Sequence, residues 1–217
     1  MKVIIQCSGS KRSDARTLTY GGIIANFVAN AKLAPPSKSE TSVTPDDAIA
    51  GSSMTWRELL LRSQGVQSGL LTVAELYRPR VYRQLVASYG PENVFILSAG
   101  WGLIRADFRL PNYDITFSSQ AEKYKRRKAS ESFSDFNQLS YGTDPVVFFG
   151  GQNYRPLLNT LLLSHQRQKN AFFRSEGNAK PGFFRGWDMR PYITPKLTNW
   201  HYDAAAAFAT GHLRIGD

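Results

Sequence analysis

Three apolar runs that each end in glycine or serine constrain the fold of this chain more than any other feature. They are KVIIQCSGS near the start, ENVFILSAGWG in the middle and DPVVFFGGQNY further on. None alternates apolar with polar residues, so each predicts a strand buried on both faces, as in a parallel sheet. The small residues at their ends place three loops at one edge of that sheet. Helical stretches lie between the runs. TWRELLLRS carries leucines on one face, and PRVYRQLVASYG opens near Pro79 and closes at Gly90. YRPLLNTLLLSHQRQK predicts a strongly apolar helix with a basic last turn, as the helix dipole favours. Strands alternating with helices predict an α/β fold, a three-layer sandwich around a mainly parallel central sheet.

A chain of 217 residues fits one domain, residues 1–217. Residues 30–53, rich in Pro, Ser and Thr, predict a flexible insertion, and residues 170–203 form a basic aromatic segment. The 27 Lys plus Arg against 17 Asp plus Glu leave a net charge of +10. That excess points to an anionic partner, most often nucleic acid. The expected partner is DNA, double- or single-stranded, with no membrane contact and a monomeric protein. The single cysteine, Cys7, allows no internal disulfide, and the three histidines lack ligand spacing. The expectations are a cytoplasmic location, no metal and no cofactor.

Three loops at the predicted sheet edge compete for a ligand. In the first, Cys7, Ser8, Ser10 and Lys11 form either an anion nest or a plain turn, since the spacing of a P-loop is absent. Cys7 is either a nucleophile or a small buried hydrophobe. The second holds Gly100, Trp101 and Gly102, and the third Gly150, Gly151, Gln152, Asn153 and Tyr154. After the second loop come two aspartates, Asp107 and Asp114, the latter following Asn112 and Tyr113. Asp107 stands between Arg105 and Arg109 and also reads as a loop anchor. The run EKYKRRK supplies Lys123, Lys125, Arg126, Arg127 and Lys128, and the aromatic segment adds Arg174 and Arg185. Basic side chains neutralise phosphates while aromatics stack on bases. Phe172, Phe173, Phe183, Phe184 and Trp187 are alternatively core residues.

Taken in order, IIQCSGSK, AELYRPRVYRQL and VFILSAGWGLIRADFRLPNYDITF resemble a small α/β family. Its pattern is a strand followed by C-S-x-x-K, a helix with A-x-x-L-Y, then L-S-A-x-x-G-L-I and P-x-Y-D. It is distantly similar to the YaaA family of peroxide-stress proteins. The sheet also resembles the uracil-DNA-glycosylase-like fold, as in the glycosylase-like domain of archaeosine synthase and in phage-defence DNA glycosylases. The likeness spans residues 1–13 and 70–154 and carries over Cys7, Ser8, Lys11, the 98–102 turn, Asp114 and Gly150–Gly151. The C-terminal third has no counterpart in it.

The resemblance implies hydrolysis of the N-glycosidic bond of a modified or unusual base, as in antiviral defence or DNA-modification surveillance. Such a reaction needs a carboxylate to stabilise an oxocarbenium-like transition state and to orient water. It also needs a pocket for a flipped base. Asp114 is the first candidate carboxylate and Asp107 the second. Tyr113 would stack on the base while Asn112, Gln152 and Asn153 read its edge. Ser8, Ser10 and Lys11 would hold phosphate. Two other readings use the same residues: a hydrolase or transferase of a free nucleoside or nucleotide, and a DNA-binding protein without activity.

Overall fold

The computed structural model describes residues 1–65, 68–128, 130–175 and 186–215. Seven strands form its central sheet: β1 (Lys2–Gln6), β2 (Val94–Ser98), β3 (Gly102–Arg105), β4 (Phe136–Asn137), β5 (Val146–Phe149), β6 (Lys169–Ser175) and β7 (Asp188–Ile193). Their spatial order is β7-β6-β5-β1-β2-β3-β4, and every neighbouring pair is parallel except β2 with β3. The chain is therefore α/β, with a mainly parallel sheet flanked by helices α1 (Trp56–Arg62), α2 (Val73–Leu76), α3 (Val81–Tyr89), α4 (Arg155–Leu161) and α5 (Trp200–Ala209).

The three apolar runs are the three central strands. Val3, Ile4 and Ile5 of β1, all of β2 and all of β5 are buried, as continuous apolar sequence requires. Their register aligns Ile5 with Phe149 and Gln6 with Leu97. The loops 7–11, 99–101 and 150–154 therefore leave the sheet side by side, beyond the carboxyl ends of β1, β2 and β5. Phe149, Phe172 and Phe208 join β5, β6 and α5 through rings 5.2–6.4 Å apart. This burial answers the choice posed by the aromatic pair at 172–173: Phe172 is core.

Local chemistry sets the helix ends. Thr55 and Glu58 close a reciprocal capping box on α1, Thr55 Oγ1 accepting from the Glu58 amide at 3.2 Å and Glu58 Oε2 from the Thr55 amide at 2.7 Å. Gly90 ends α3 with φ +79°. The expected helix over residues 154–169 is cut short. It ends at Leu161, and Lys169 already opens β6, whose backbone pairs with β5 over 169–171 and with β7 over 170–175. Much of the expected nucleic-acid segment likewise becomes sheet. Phe172 and Arg174 lie in β6, Pro191 sits in the edge strand β7, and Trp187 packs edge-on against Phe148. Phe183, Phe184 and Arg185 of that segment lie outside the described residues.

The expected insertion at 30–53 has structure of its own. Thr41–Val43 pairs in parallel with Ile23–Phe27, Ile49 is fully buried, and Asp46 ion-pairs with Arg57 of α1. Among the described residues no helix is long and apolar enough to cross a membrane.

Candidate functional site

The 98–102 turn is held by two buried arginines that the sequence does not mark as structural. Arg57 donates to the Gly100 carbonyl at 3.2 Å, ion-pairs with Asp46 at 2.5 Å and lies over the rings of Trp101 and Phe136. Arg127 donates to the Ala99 carbonyl at 2.8 Å and makes a two-pronged pair with Asp135 at 2.8 and 2.6 Å. Inside the turn, Ser98 Oγ accepts from the amides of Gly100 and Trp101, both at 3.2 Å, and donates to the Tyr113 hydroxyl at 2.9 Å. Tyr113 is in turn 2.6 Å from the Tyr77 hydroxyl. Burial raises both phenols well above their ordinary range, so they stay protonated and can only share hydrogen bonds. Gly102 adopts φ +89° with the Phe136 backbone against it, where no side chain fits.

This frame presents two recesses on either side of the 7–11 loop, with Gly9 on the wall of both. The first, of about 330 Å³, is lined by Lys11, Arg12, Asn26, Asn112, Tyr113 and Asp114, among others. Asp114 is fixed by its backbone amide, which donates to the Phe27 carbonyl at 2.8 Å. Its half-exposed carboxylate pairs with Lys125 Nζ at 2.8 Å, and Lys125 also reaches Glu122 at 2.7 Å. These two carboxylates, Asp114 first, hold the Lys125 ammonium above its ordinary range, so it remains a cation. Lys11 Nζ sits 4.1 Å above the Tyr113 ring, and its ammonium makes no hydrogen bond or ion pair with a described residue. Burial lowers its pKa.

The second recess, of about 510 Å³, is lined by Gln6, Cys7, Ser8, Thr116, Asn153, Tyr154 and Tyr202, among others. Cys7 Sγ is 3.2 Å from the Tyr154 hydroxyl, and the Gly151 amide donates to Gln6 Oε1 at 2.6 Å. Cys7 is buried and free. Ser8 Oγ accepts from the Ser10 amide at 3.1 Å, so it caps its own loop. Gly150 packs directly over Phe148, and a methyl group there would strike that ring.

Several expected site residues therefore converge: Cys7, Ser8, Ser10, Lys11, Asn112, Asp114, Gly151, Asn153 and Tyr154 line the two recesses. Tyr113 reaches the first with its ring, but it is buried and its hydroxyl is tied into the interior, so it is a wall and not an exposed stacking platform. Trp101 is fully buried among Phe27, Tyr113 and Phe136, which removes it from any ligand. Gln152 is exposed beside the second recess. Asp107 does not join Asp114. The antiparallel turn carries it to the opposite end of the sheet, where it pairs with Arg105 at 2.5 Å beside a separate recess of about 440 Å³.

The basic run also divides. Arg127 is buried and serves the turn, Lys125 serves Asp114, and Arg126 donates to the Ala121 carbonyl at 2.8 Å. Lys123 and Lys128 are exposed. Among the described residues no three His, Cys, Asp or Glu side chains are grouped to hold a metal.

Comparison with known proteins adds three findings. The model of a family of unknown function, DUF6884, matches residues 66–175. That span contains the 98–102 turn, Asp114 and Arg127 but not the 7–11 loop. The uncharacterized protein YfjM of Bacillus subtilis strain 168 is 35% identical over 78 residues, which cover 33% of this chain and 47% of YfjM. The match thus spans about half the length of that relative. No solved structure matches.

Proposed function

The chain belongs to DUF6884, a family of unknown function, and we propose that it is a DNA glycosylase built on a uracil-DNA-glycosylase-like sheet. The observation that carries this reading is Asp114: a half-exposed carboxylate on the wall of a 330 Å³ recess, beyond the carboxyl ends of parallel strands, flanked by cations. The recess is at the lower end of small-ligand volumes, in keeping with one flipped nucleotide. Asp114 stabilises the oxocarbenium-like sugar and orients the attacking water, and Lys125 fixes the carboxylate from behind. Asn26 and Asn112 offer amides to the base edge, and Arg12, braced by Asp14 at 2.5 Å, faces the phosphate. The reaction exchanges the C1′–N bond for a C1′–OH bond, and the base leaves with a proton derived from water.

The test is release of free base from DNAs carrying different modified bases, with wild type beside Asp114→Asn. Loss of a positioned acid–base carboxylate lowers the rate roughly 10²–10⁴-fold. Base release unchanged in Asp114→Asn overturns the assignment.

One observation favours a second reading, a hydrolase or transferase of free nucleosides or nucleotides. Two of the five cations in the 123–128 run are spent inside the fold, Arg127 on Asp135 and Lys125 on Asp114 and Glu122. Cleavage of free nucleotides, with DNA binding that does not weaken as salt rises, would establish it instead.

A further inference from the structure

We propose that Lys11 is a nucleophile, forming an imine with the C1′ aldehyde of an abasic deoxyribose held in the first recess. The proposal rests on the glycosylase reading and adds a second step after base release. Three features of the geometry carry it. The Lys11 amine lines the same 330 Å³ recess as Asp114. It is half-buried, packed 4.1 Å over the Tyr113 ring, and its ammonium makes no hydrogen bond or ion pair with a described residue. Asp114, a carboxylate on that wall, is already bonded to Lys125 at 2.8 Å. A salt-bridged lysine is a poor nucleophile because its lone pair carries a proton. Lys11 makes no such pair with a described residue, and burial lowers its pKa against the opposing pull of Cys7 and Asp114, which makes the amine easier to deprotonate than an exposed lysine. The two lysines beside Asp114 thus divide the work, one holding the carboxylate and the other free to react.

The chemistry balances without an outside oxidant or reductant. The open-chain sugar presents an aldehyde at C1′. The Lys11 lone pair forms the N–C1′ bond while the carbonyl π electrons move to oxygen, giving a carbinolamine. Proton transfer and loss of water leave the iminium. Removal of a C2′ proton, for which the Asp114 carboxylate is placed on the same wall, then expels the 3′-phosphate by β-elimination. Water hydrolyses the imine and restores the amine. Cys7 is a less suitable nucleophile, since its thiol faces the second recess and is engaged with Tyr154 at 3.2 Å.

The test uses DNA in which an abasic site has already been made, so no base excision is required. The full-length protein is mixed with this DNA and sodium borohydride, which reduces an imine to a stable secondary amine. Wild type should give a protein–DNA adduct that survives denaturing electrophoresis, and the modified peptide should contain Lys11. Lys11→Arg and Lys11→Met should each lower the adduct at least tenfold, with melting temperatures showing that both variants fold. No adduct with wild type, an adduct mapped to another amine, or an undiminished adduct in a folded Lys11 variant overturns the proposal. Peptide mapping needs only wild type, so it decides the role of Lys11 even if both variants misfold. Base release from modified DNA is measured separately. Trapping without base release refutes the glycosylase reading alone, and base release without trapping refutes the role of Lys11 alone.

Discussion

Replacing Arg127 with Met separates two roles that the basic run leaves open. An arginine that tracks DNA is exposed, and its loss weakens binding without unfolding the protein. Arg127 is 4% exposed, and its Asp135 partner's side chain only 9%. Its guanidinium makes two bonds to that carboxylate and one of 2.8 Å to the Ala99 carbonyl, and it lies 4.2 Å from the centre of the Phe133 ring. Deleting one partner of a buried pair leaves the other charge uncompensated, which costs about 3–5 kcal/mol. For a chain of this size that lowers the melting temperature by roughly 6–20 °C. Urea titration and thermal melting read the loss directly. Arg127→Met combined with Asp135→Leu should recover more than half of it, because the stranded carboxylate is gone and apolar volume replaces the pair. A stability of Arg127→Met within about 1 kcal/mol of wild type refutes the structural role. Loss of DNA affinity in that same stable variant would assign Arg127 to the nucleic-acid surface instead.

Two further perturbations probe other parts of the frame. His201 is buried in α5 with its pKa lowered by burial to about 4. Its unfolded imidazole takes up a proton near 6.5 and its folded one only near 4, so stability falls as pH drops across that window. The loss amounts to about 3 kcal/mol and levels off below it. His201→Phe should flatten this part of the stability–pH curve, measured by urea unfolding at several pH values, and an unchanged curve would refute the assignment. Gly102→Ala should cost about 2 kcal/mol or more, since a side chain at φ +89° meets the Phe136 backbone. A melting temperature equal to wild type would show that the 102 position relaxes freely.

Strands β1, β2 and β5 are legible in the sequence because a strand buried on both faces must be apolar throughout, and no other strand of the central sheet shows that pattern so fully. Strands β6 and β7 are not. They lie toward the sheet edge, where residues such as Arg174, Arg190 and Pro191 are tolerated, and the mixture of rings and cations mimics a nucleic-acid surface. The helix after Tyr154 is over-read for a related reason: leucine spacing alone does not show where pairing with β5 takes the backbone away. The loops of the site are legible from glycine and serine. The buried arginines are not, because their partners are 11 and 8 residues away, Asp46 for Arg57 and Asp135 for Arg127. Neither spacing is a local motif, so each cation reads as exposed. Asp107 and Asp114 look alike for the same reason. Seven residues separate them in sequence, and only the reversal between β2 and β3 sends them to opposite ends of the sheet.

The internal use of cations changes where a polyanion would meet this protein but not how strongly the whole molecule attracts it. Pairing leaves the sum at +10, since the carboxylates that accept Arg57, Arg127 and Lys125 are already counted in it. Beyond a Debye length of about 8–10 Å each pair is nearly neutral, and the field that steers an anion comes from the unpaired cations. In the 123–128 run these include the exposed Lys123 and Lys128, which make no ion pair with a described residue, in the loop that carries Lys125 to Asp114. Lys11, which makes no ion pair with a described residue, adds a further cation on the recess wall when it is protonated. On the proposed function, contacts from Lys123 and Lys128 would position a phosphate backbone, whereas Lys125 holds Asp114 on the recess wall and Arg127 holds the 98–102 turn. The basic run is thus divided between surface and interior, and the division is set by which lysine or arginine finds an aspartate.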